Sequence, residues 1–151
     1  MDLSLSANVF DPFAGAGVVS TVLRERGLYV RTNDLGLGVA ADSGLDGLQP
    51  STYQSFDGRL HAVVTDAPWA ALDLVVPLVS GFVRHVACFW VPSHYVRLGF
   101  EARSRFLSEL SEQGRLEIVS GRTFGPEAVE YVWLVVFRSR THRQLMLQSA
   151  A

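Results

Sequence analysis

The sequence predicts an α/β fold: a mostly parallel sheet with helices on both faces and an antiparallel hairpin at one edge. Three observations predict it. Apolar, strand-like runs alternate with segments of helical period from the N-terminus onward, the pattern of β-α-β units and parallel strands. The first strand passes through a turn, "DPFAGAG", straight into a helix-like segment. The last two strand-like runs, "RLEIVS" and "EYVWLVVFRS", have only "GRTFGPEAV" between them, too little for a helix, so they pair antiparallel.

In chain order, "ANVFD" is a short apolar strand. "GVVSTVLRERG" follows with Val18, Val19, Val22 and Leu23 spaced for one helical face and Gly27 as its stop. "LYVRTND" reads as a second strand. The next passage, "LGLGVAADSGLDGLQPSTYQSFDG", is rich in Gly, Asp and Ser, so any third strand in it is short or degenerate. "LHAVVTD" is a buried strand and "APWA" a sharp turn. "ALDLVVPLVSGFVR" is a helix in which Pro77 predicts a kink or an early end. "HVACFWVP" is a further apolar strand, and "EARSRFLSELSEQG" a helix with Phe106, Leu107 and Leu110 on one face, closed by Gly114. No repeat or linker divides the chain, so residues 1–151 read as one domain, with the tail after about residue 140 loosely held.

Composition narrows the function classes. Hydrophobic residues make up 48% of the chain, on the apolar side for a soluble monomer, which suggests a surface used in homo- or hetero-oligomers. No run is long enough to span a membrane and the start lacks the pattern of a secretory signal, so a soluble, intracellular protein is expected. The single cysteine, Cys88, excludes an internal disulfide and reads as a buried, inert thiol. His61, His85, His94 and His142 lack metal-ligand spacing, and no metal is expected. Net charge is −2, which offers no broad attraction to a polyanion. All 13 basic residues are arginine. Their concentrations at Arg97, Arg103 and Arg105 and at Arg138, Arg140 and Arg143 read either as solvated faces or as phosphate contacts. Trp90 and Trp133 read as core, and Asp73 as a first-turn helix carboxylate.

A parallel sheet binds ligands beyond the carboxyl ends of its strands, where the first turn lies. With Gly15 and Gly17 in that turn, a ligand can rest against main chain. The turn begins with a carboxylate, Asp11, which repels phosphate and attracts a cation, so an ammonium group or the zwitterionic end of S-adenosylmethionine suits it better than a pyrophosphate. Asp34, at the end of the second strand and about twenty residues further on, is placed to accept hydrogen bonds from both hydroxyls of a ribose.

These residues carry a resemblance. "DPFAGAG" resembles the first motif of class I S-adenosylmethionine-dependent methyltransferases, in the form found in enzymes that methylate exocyclic amino groups of nucleobases. "TDAPWA" is similar to their Asp/Asn-Pro-Pro-aromatic tetrad. The later pattern, "HVACFWVP", an Arg-containing helix, "GRTF" and "EYVWLVVF", resembles small phage- and bacterial-type adenine-N6 methyltransferases. The resemblance implies a Rossmann-like, seven-stranded sheet with the strand ending at Asp11 central, that ending at Asp66 beside it, and the C-terminal hairpin antiparallel.

It also implies roles. Asp11 and the backbone from Phe13 through Gly15 to Gly17 would hold the methionine portion of S-adenosylmethionine, and Asp34 its ribose. Asp46 would take the adenine amino group, with Asp42 the competitor. The Asp66 carboxylate and Ala67 carbonyl would accept hydrogen bonds from the target amino group, with Pro68 shaping the turn and Trp69 stacking on the base. The implied function is methyl transfer to a nucleobase amino group, adenine N6 in DNA or RNA, with the nucleic acid bound directly or presented by a protein partner.

Two departures bear on this. Ala67 stands where the tetrad has its first Pro, although the residue before Pro68 stays biased to an extended conformation. No segment reads as a separate target-recognition domain. The alternatives are a catalytically degenerate, methyltransferase-like subunit of a larger nucleoprotein assembly and, less favoured by Asp66 and Trp69, a glutamine-amide methyltransferase.

Overall fold

The structure, a computed structural model, describes residues 8–36, 38–97 and 101–149. Ala7 of the first predicted strand, Leu37 of the Gly-rich passage and residues 150–151 of the tail lie outside them.

Strand β1 (Asn8–Asp11) leads through the Gly turn into α1 (Val18–Glu25), then β2 (Val30–Thr32), α2 (Pro50–Gln54) and β3 (Leu60–Thr65). A 3-10 turn (Trp69–Ala71) opens α3 (Leu72–Phe82), followed by β4 (Val86–Pro92), α4 (Ser93–Arg97), α5 (Glu101–Glu112), β5 (Leu116–Phe124), β6 (Val129–Phe137) and α6 (Arg140–Ser149). The sheet order is β2-β1-β3-β4-β6-β5. The first four strands are mutually parallel where they pair, and β6 runs antiparallel between β4 and β5. Asp11 ends β1 and Asp66 directly follows β3, the adjacent strand, as expected; β1 was also expected to be central, but with only β2 outside it among the described residues, it lies one strand in from the edge.

One face of the sheet packs Phe10, Val63, Phe89 and Leu134 against Leu72, Val75, Val76 and Val79 of α3 and Leu107 and Leu110 of α5. The other packs Val9, Val30, Ala62, Val86 and Phe137 under Leu23 near the end of α1 and Met146 of α6. Pro77 does not end α3 early. Val75, Val76 and Val79 on either side of it are completely buried, which holds both turns against the sheet.

Two further expectations are corrected. The sheet has six strands among the described residues where seven were expected. Beyond Thr32 the chain makes only an isolated parallel bridge, Asn33 to Ser43. What replaces the ladder is the side chain of Asn33, itself completely buried. Its amide donates to the carbonyls of Pro12 (3.0 Å) and Leu45 (2.8 Å). Its oxygen accepts from the Leu45 amide and the Ser43 hydroxyl, both at 2.8 Å. One carboxamide thus meets the hydrogen-bonding needs of a Gly-rich segment that cannot hold a strand's alternation. The second correction is α6, where a loosely held tail was expected. Ser139 caps it by accepting from the His142 amide (3.2 Å), and Arg143 anchors it to Glu117 of β5 (2.6 Å).

Asn33→Ala should strip partners from the Pro12 carbonyl and both backbone groups of Leu45, at about 1–3 kcal/mol for each group that water cannot reach. Denaturant unfolding tests this; a loss under about 1 kcal/mol would show that the passage holds itself.

Candidate active site

The two motif turns meet at the carboxyl ends of β1 and β3. Together they wall one cleft of about 640 Å³, lined by Phe13, Gly15, Asp34, Asp46, Asp66, Ala67, Pro68 and Trp69, with Pro12, Leu35, Gly47, Leu48 and Ala71 completing it.

Asp11, expected to hold a ligand directly, does not line the cleft; it ends β1 behind Pro12 and Phe13, which do. Parallel strands on both sides leave this side chain 1% exposed. One carboxylate oxygen accepts from the Thr65 hydroxyl at 2.7 Å and from the Phe13 amide at 3.3 Å, while the other is buried with no partner. Burial pushes the carboxyl up to about 6 against those two hydrogen bonds, and the charges of Asp66 and Asp34 push the same way. Three carboxylates thus share one small region, an environment that favours a cationic ligand.

The glycines do separate jobs. Gly15 takes φ 50° and Gly17 φ 81°, both in the left-handed region that favours glycine. Gly17 is the N-cap of α1 and does not line the cleft. At Gly15 a Cβ would meet nothing within 4 Å, so the main chain there faces open space. Gly47 is needed for packing, since a Cβ on it would lie 2.6 Å from the Phe13 ring.

Asp34 is a tie as well as a wall. Its two oxygens accept the amides of Gly15 (2.8 Å) and Gly36 (2.7 Å), joining the Gly turn to the end of β2. Each oxygen retains a lone pair for a ligand. Asp46 accepts from the Leu48 amide at 2.9 Å and lines the cleft. Asp42, its competitor, does not; it accepts from the amide and hydroxyl of Thr32 and pairs with Arg24, which hold its carboxyl below the ordinary range.

Across the cleft, withdrawal from water raises the Asp66 carboxyl above its ordinary value. Ala67 is buried, and Pro68 starts the 3-10 turn, its carbonyl accepting from Ala71 at 2.9 Å. That turn presents Trp69, 48% exposed, edge-on to His94 (6.0 Å) and tilted against Tyr131 (5.7 Å). Tyr131 was missed by sequence reading: on a strand of alternating apolar residues nothing distinguishes it, and only the β4–β6 pairing brings it to Trp69. Trp90 and Trp133, expected in the core, are half-buried. With Val18, Val22, Leu23 and Val64 they line a second, apolar groove that also reaches Asp66. Cys88 fits its expected inertness, burial pushing the thiol up to about 12. Asp73 is engaged by Arg103 through two hydrogen bonds of 2.6 and 2.7 Å.

No protein-family model and no curated protein sequence matches the chain. Solved structures do. A Listeria monocytogenes protein assigned to the class I S-adenosylmethionine-dependent methyltransferases superposes with a TM-score of 0.60 at 16% identity, over 90% of this chain and 55% of that one. The methyltransferase subunit of a type I restriction-modification system from Streptococcus thermophilus gives 0.66 at 12%, over 87% and 40%. The fold is that of the class I methyltransferases. The magnesium protoporphyrin IX methyltransferase of Synechocystis PCC 6803, solved with bound S-adenosylmethionine, gives 0.58 at 18%, over 91% and 72%. The chain thus spans about half the length of the first two methyltransferases. No helix among the described residues is long and apolar enough to cross a membrane.

Because the native state holds the Asp11 proton more tightly than the unfolded chain, this carboxyl favours folding below its ordinary 3.8 and loses that contribution as pH rises through about 6. Relative to wild type, Asp11→Asn should gain on the order of 3 kcal/mol of stability between those limits. Urea melts of both proteins across that range test it; parallel curves would contradict the buried, raised carboxyl.

Proposed function

We propose that this chain is an S-adenosylmethionine-dependent methyltransferase acting on an exocyclic amino group of a nucleobase, adenine N6 in DNA or RNA. The observation that carries the reading is the convergence of the Gly15 turn, Asp34 and the Asp66-Ala67-Pro68-Trp69 turn in one cleft.

The cleft suits the cofactor. Its volume lies within the range of small-molecule sites, Gly15 leaves main chain open on it, and Asp34, Asp46 and Asp66 place carboxylates on its walls. The Phe13–Gly15 main chain would hold the cationic methionine end, Asp34 the ribose, and Asp46 the adenine amino group. S-adenosylmethionine supplies a methyl group already activated on a sulfonium. What remains for the protein is alignment and desolvation.

In this reading Asp66 and the Ala67 carbonyl accept the two hydrogens of the target amine and so orient its lone pair. Trp69 offers a ring face to a flat base. A base in a duplex must leave the stack to reach this turn, whereas a single-stranded one need not. The neighbouring restriction-modification subunit is consistent with a nucleic-acid substrate, which the modest charge of this chain suggests is presented by a protein partner. The open cleft favours catalysis over a degenerate scaffold, whose site its own side chains would fill.

Labelled-methyl transfer to single-stranded DNA and RNA tests the proposal. Asp66→Ala should abolish transfer and spare cofactor binding, and Ala67→Pro should raise transfer by stiffening the turn. No transfer by wild type or Ala67→Pro, with nucleic-acid-binding partners supplied, would leave the scaffold. Asp34→Ala should weaken S-adenosylmethionine binding about tenfold or more, since hydrogen bonds to a charged group contribute about 1.5–3 kcal/mol each. It should also lower the melting temperature by freeing the Gly15 and Gly36 amides. Calorimetric titration and thermal melts separate the roles: a lower melting temperature with unchanged affinity would make Asp34 a structural tie alone.

A further inference from the structure

At the opposite end of the sheet, where β3 and β4 begin and β6 ends, the fold gathers basic side chains that are far apart in sequence. His61 stacks on His85 with ring centroids 5.3 Å apart, and the His142 ring lies tilted against His85 at 5.1 Å. Backbone bonds set this arrangement: the His85 amide donates to the His61 carbonyl (3.0 Å) and the Arg138 amide to the His85 carbonyl (2.8 Å). Beside the rings opens a pocket of about 390 Å³, lined by Arg84, His85, Arg138 and His142 with the small residues Gly58 and Gly81.

The charge there is uncompensated. Arg24, Arg97, Arg103, Arg105 and Arg143 each sit within 4.0 Å of a carboxylate. Among the described residues neither Arg84 nor Arg138 does. Helix α6, which starts beside the pocket, has no acidic residue in its first turn and carries Arg140, His142 and Arg143 there instead. Cations at a helix N-terminus oppose its dipole, and a bound anion would reverse that conflict.

The imidazoles are able to donate. The Nδ1 of His85 is buried without a partner, so a hydrogen bond from this ring to a ligand would be made through Nε2. The Ser139 hydroxyl accepts from the His142 amide and lies 2.8 Å from the His142 Nδ1. When it donates its own hydrogen to that nitrogen, the ring N–H of neutral His142 is on Nε2. Two imidazoles able to donate and two guanidiniums without a carboxylate partner border one small cavity. Metal binding does not fit, since no group of His, Cys, Asp and Glu among the described residues has a metal-holding arrangement.

We propose that this pocket binds a phosphate group, with Arg84 and Arg138 supplying charge and His85 and His142 supplying directed N–H donors. It is separate from the cleft at the carboxyl ends of the strands and does not depend on the reaction proposed there. The phosphate belongs either to a free small ligand or to a nucleic-acid backbone.

The experiment is NMR titration of the full chain with inorganic phosphate at constant ionic strength, following the imidazole resonances. Saturable shifts at His85 and His142 are expected, and in the double variant Arg84→Gln, Arg138→Gln the affinity should fall about tenfold or more. Both arginines are exposed, so the fold is retained, which the melting temperature verifies. Displacement of phosphate by a short single-stranded oligonucleotide identifies a backbone source, and failure to displace it a free ligand. Shifts no larger than those from chloride, or equal affinity in the double variant, would overturn the site.

Discussion

Past the point where the β1–β2 ladder ends, the buried carboxamide of Asn33 joins three segments: the end of β2, the turn after β1 through Pro12, and the Gly-rich passage through Ser43 and Leu45. Asp34 follows directly, and its carboxylate reaches back to Gly15 and forward to Gly36. Two consecutive polar side chains therefore set the walls of the cleft on its β1–β2 side. Remove Asn33 and the passage carrying Asp46 and Leu48 loses its register against Phe13, whose ring already packs at contact distance on Gly47.

The two ends of the sheet are electrostatic opposites. Asp11, Asp34 and Asp66 stand at the carboxyl ends of the strands, with burial and mutual repulsion raising Asp11 to about 6. Arg84, Arg138 and three histidines stand at the other end. There burial, followed by the charges of His142, His61 and Arg84, disfavours protonation of His85. A net charge of −2 hides this polarity, because a sum over the chain carries no information about position.

What could be read from sequence was what is local. "DPFAGAG" and "DAPW" are contiguous, so their turns, the carboxylates beside them and the adjacency of β1 and β3 were legible, whereas the place of β1 near the edge was not. The sixfold rather than sevenfold sheet was not, because a lone Asn at a strand end looks like any surface polar residue until the segments it bridges are placed around it. His61, His85 and His142 are separated by 24 and 57 residues and share no spacing rule; parallel pairing of β3 with β4 and the return of β6 bring them together. Helix α6 has a weak apolar stripe, and its anchors, Glu117 and the Phe137 cluster, lie on strands.

Trp69 stands half in water at the mouth of the cleft, between His94 and Tyr131, whereas Trp90 is packed face to face with Tyr131, their planes 9° apart. The chain therefore carries its own optical probe. A flat ligand seated on Trp69 replaces water around one indole and leaves the stacked partner of Tyr131 in place, so the emission colour of the intact protein reports on the cleft without any label.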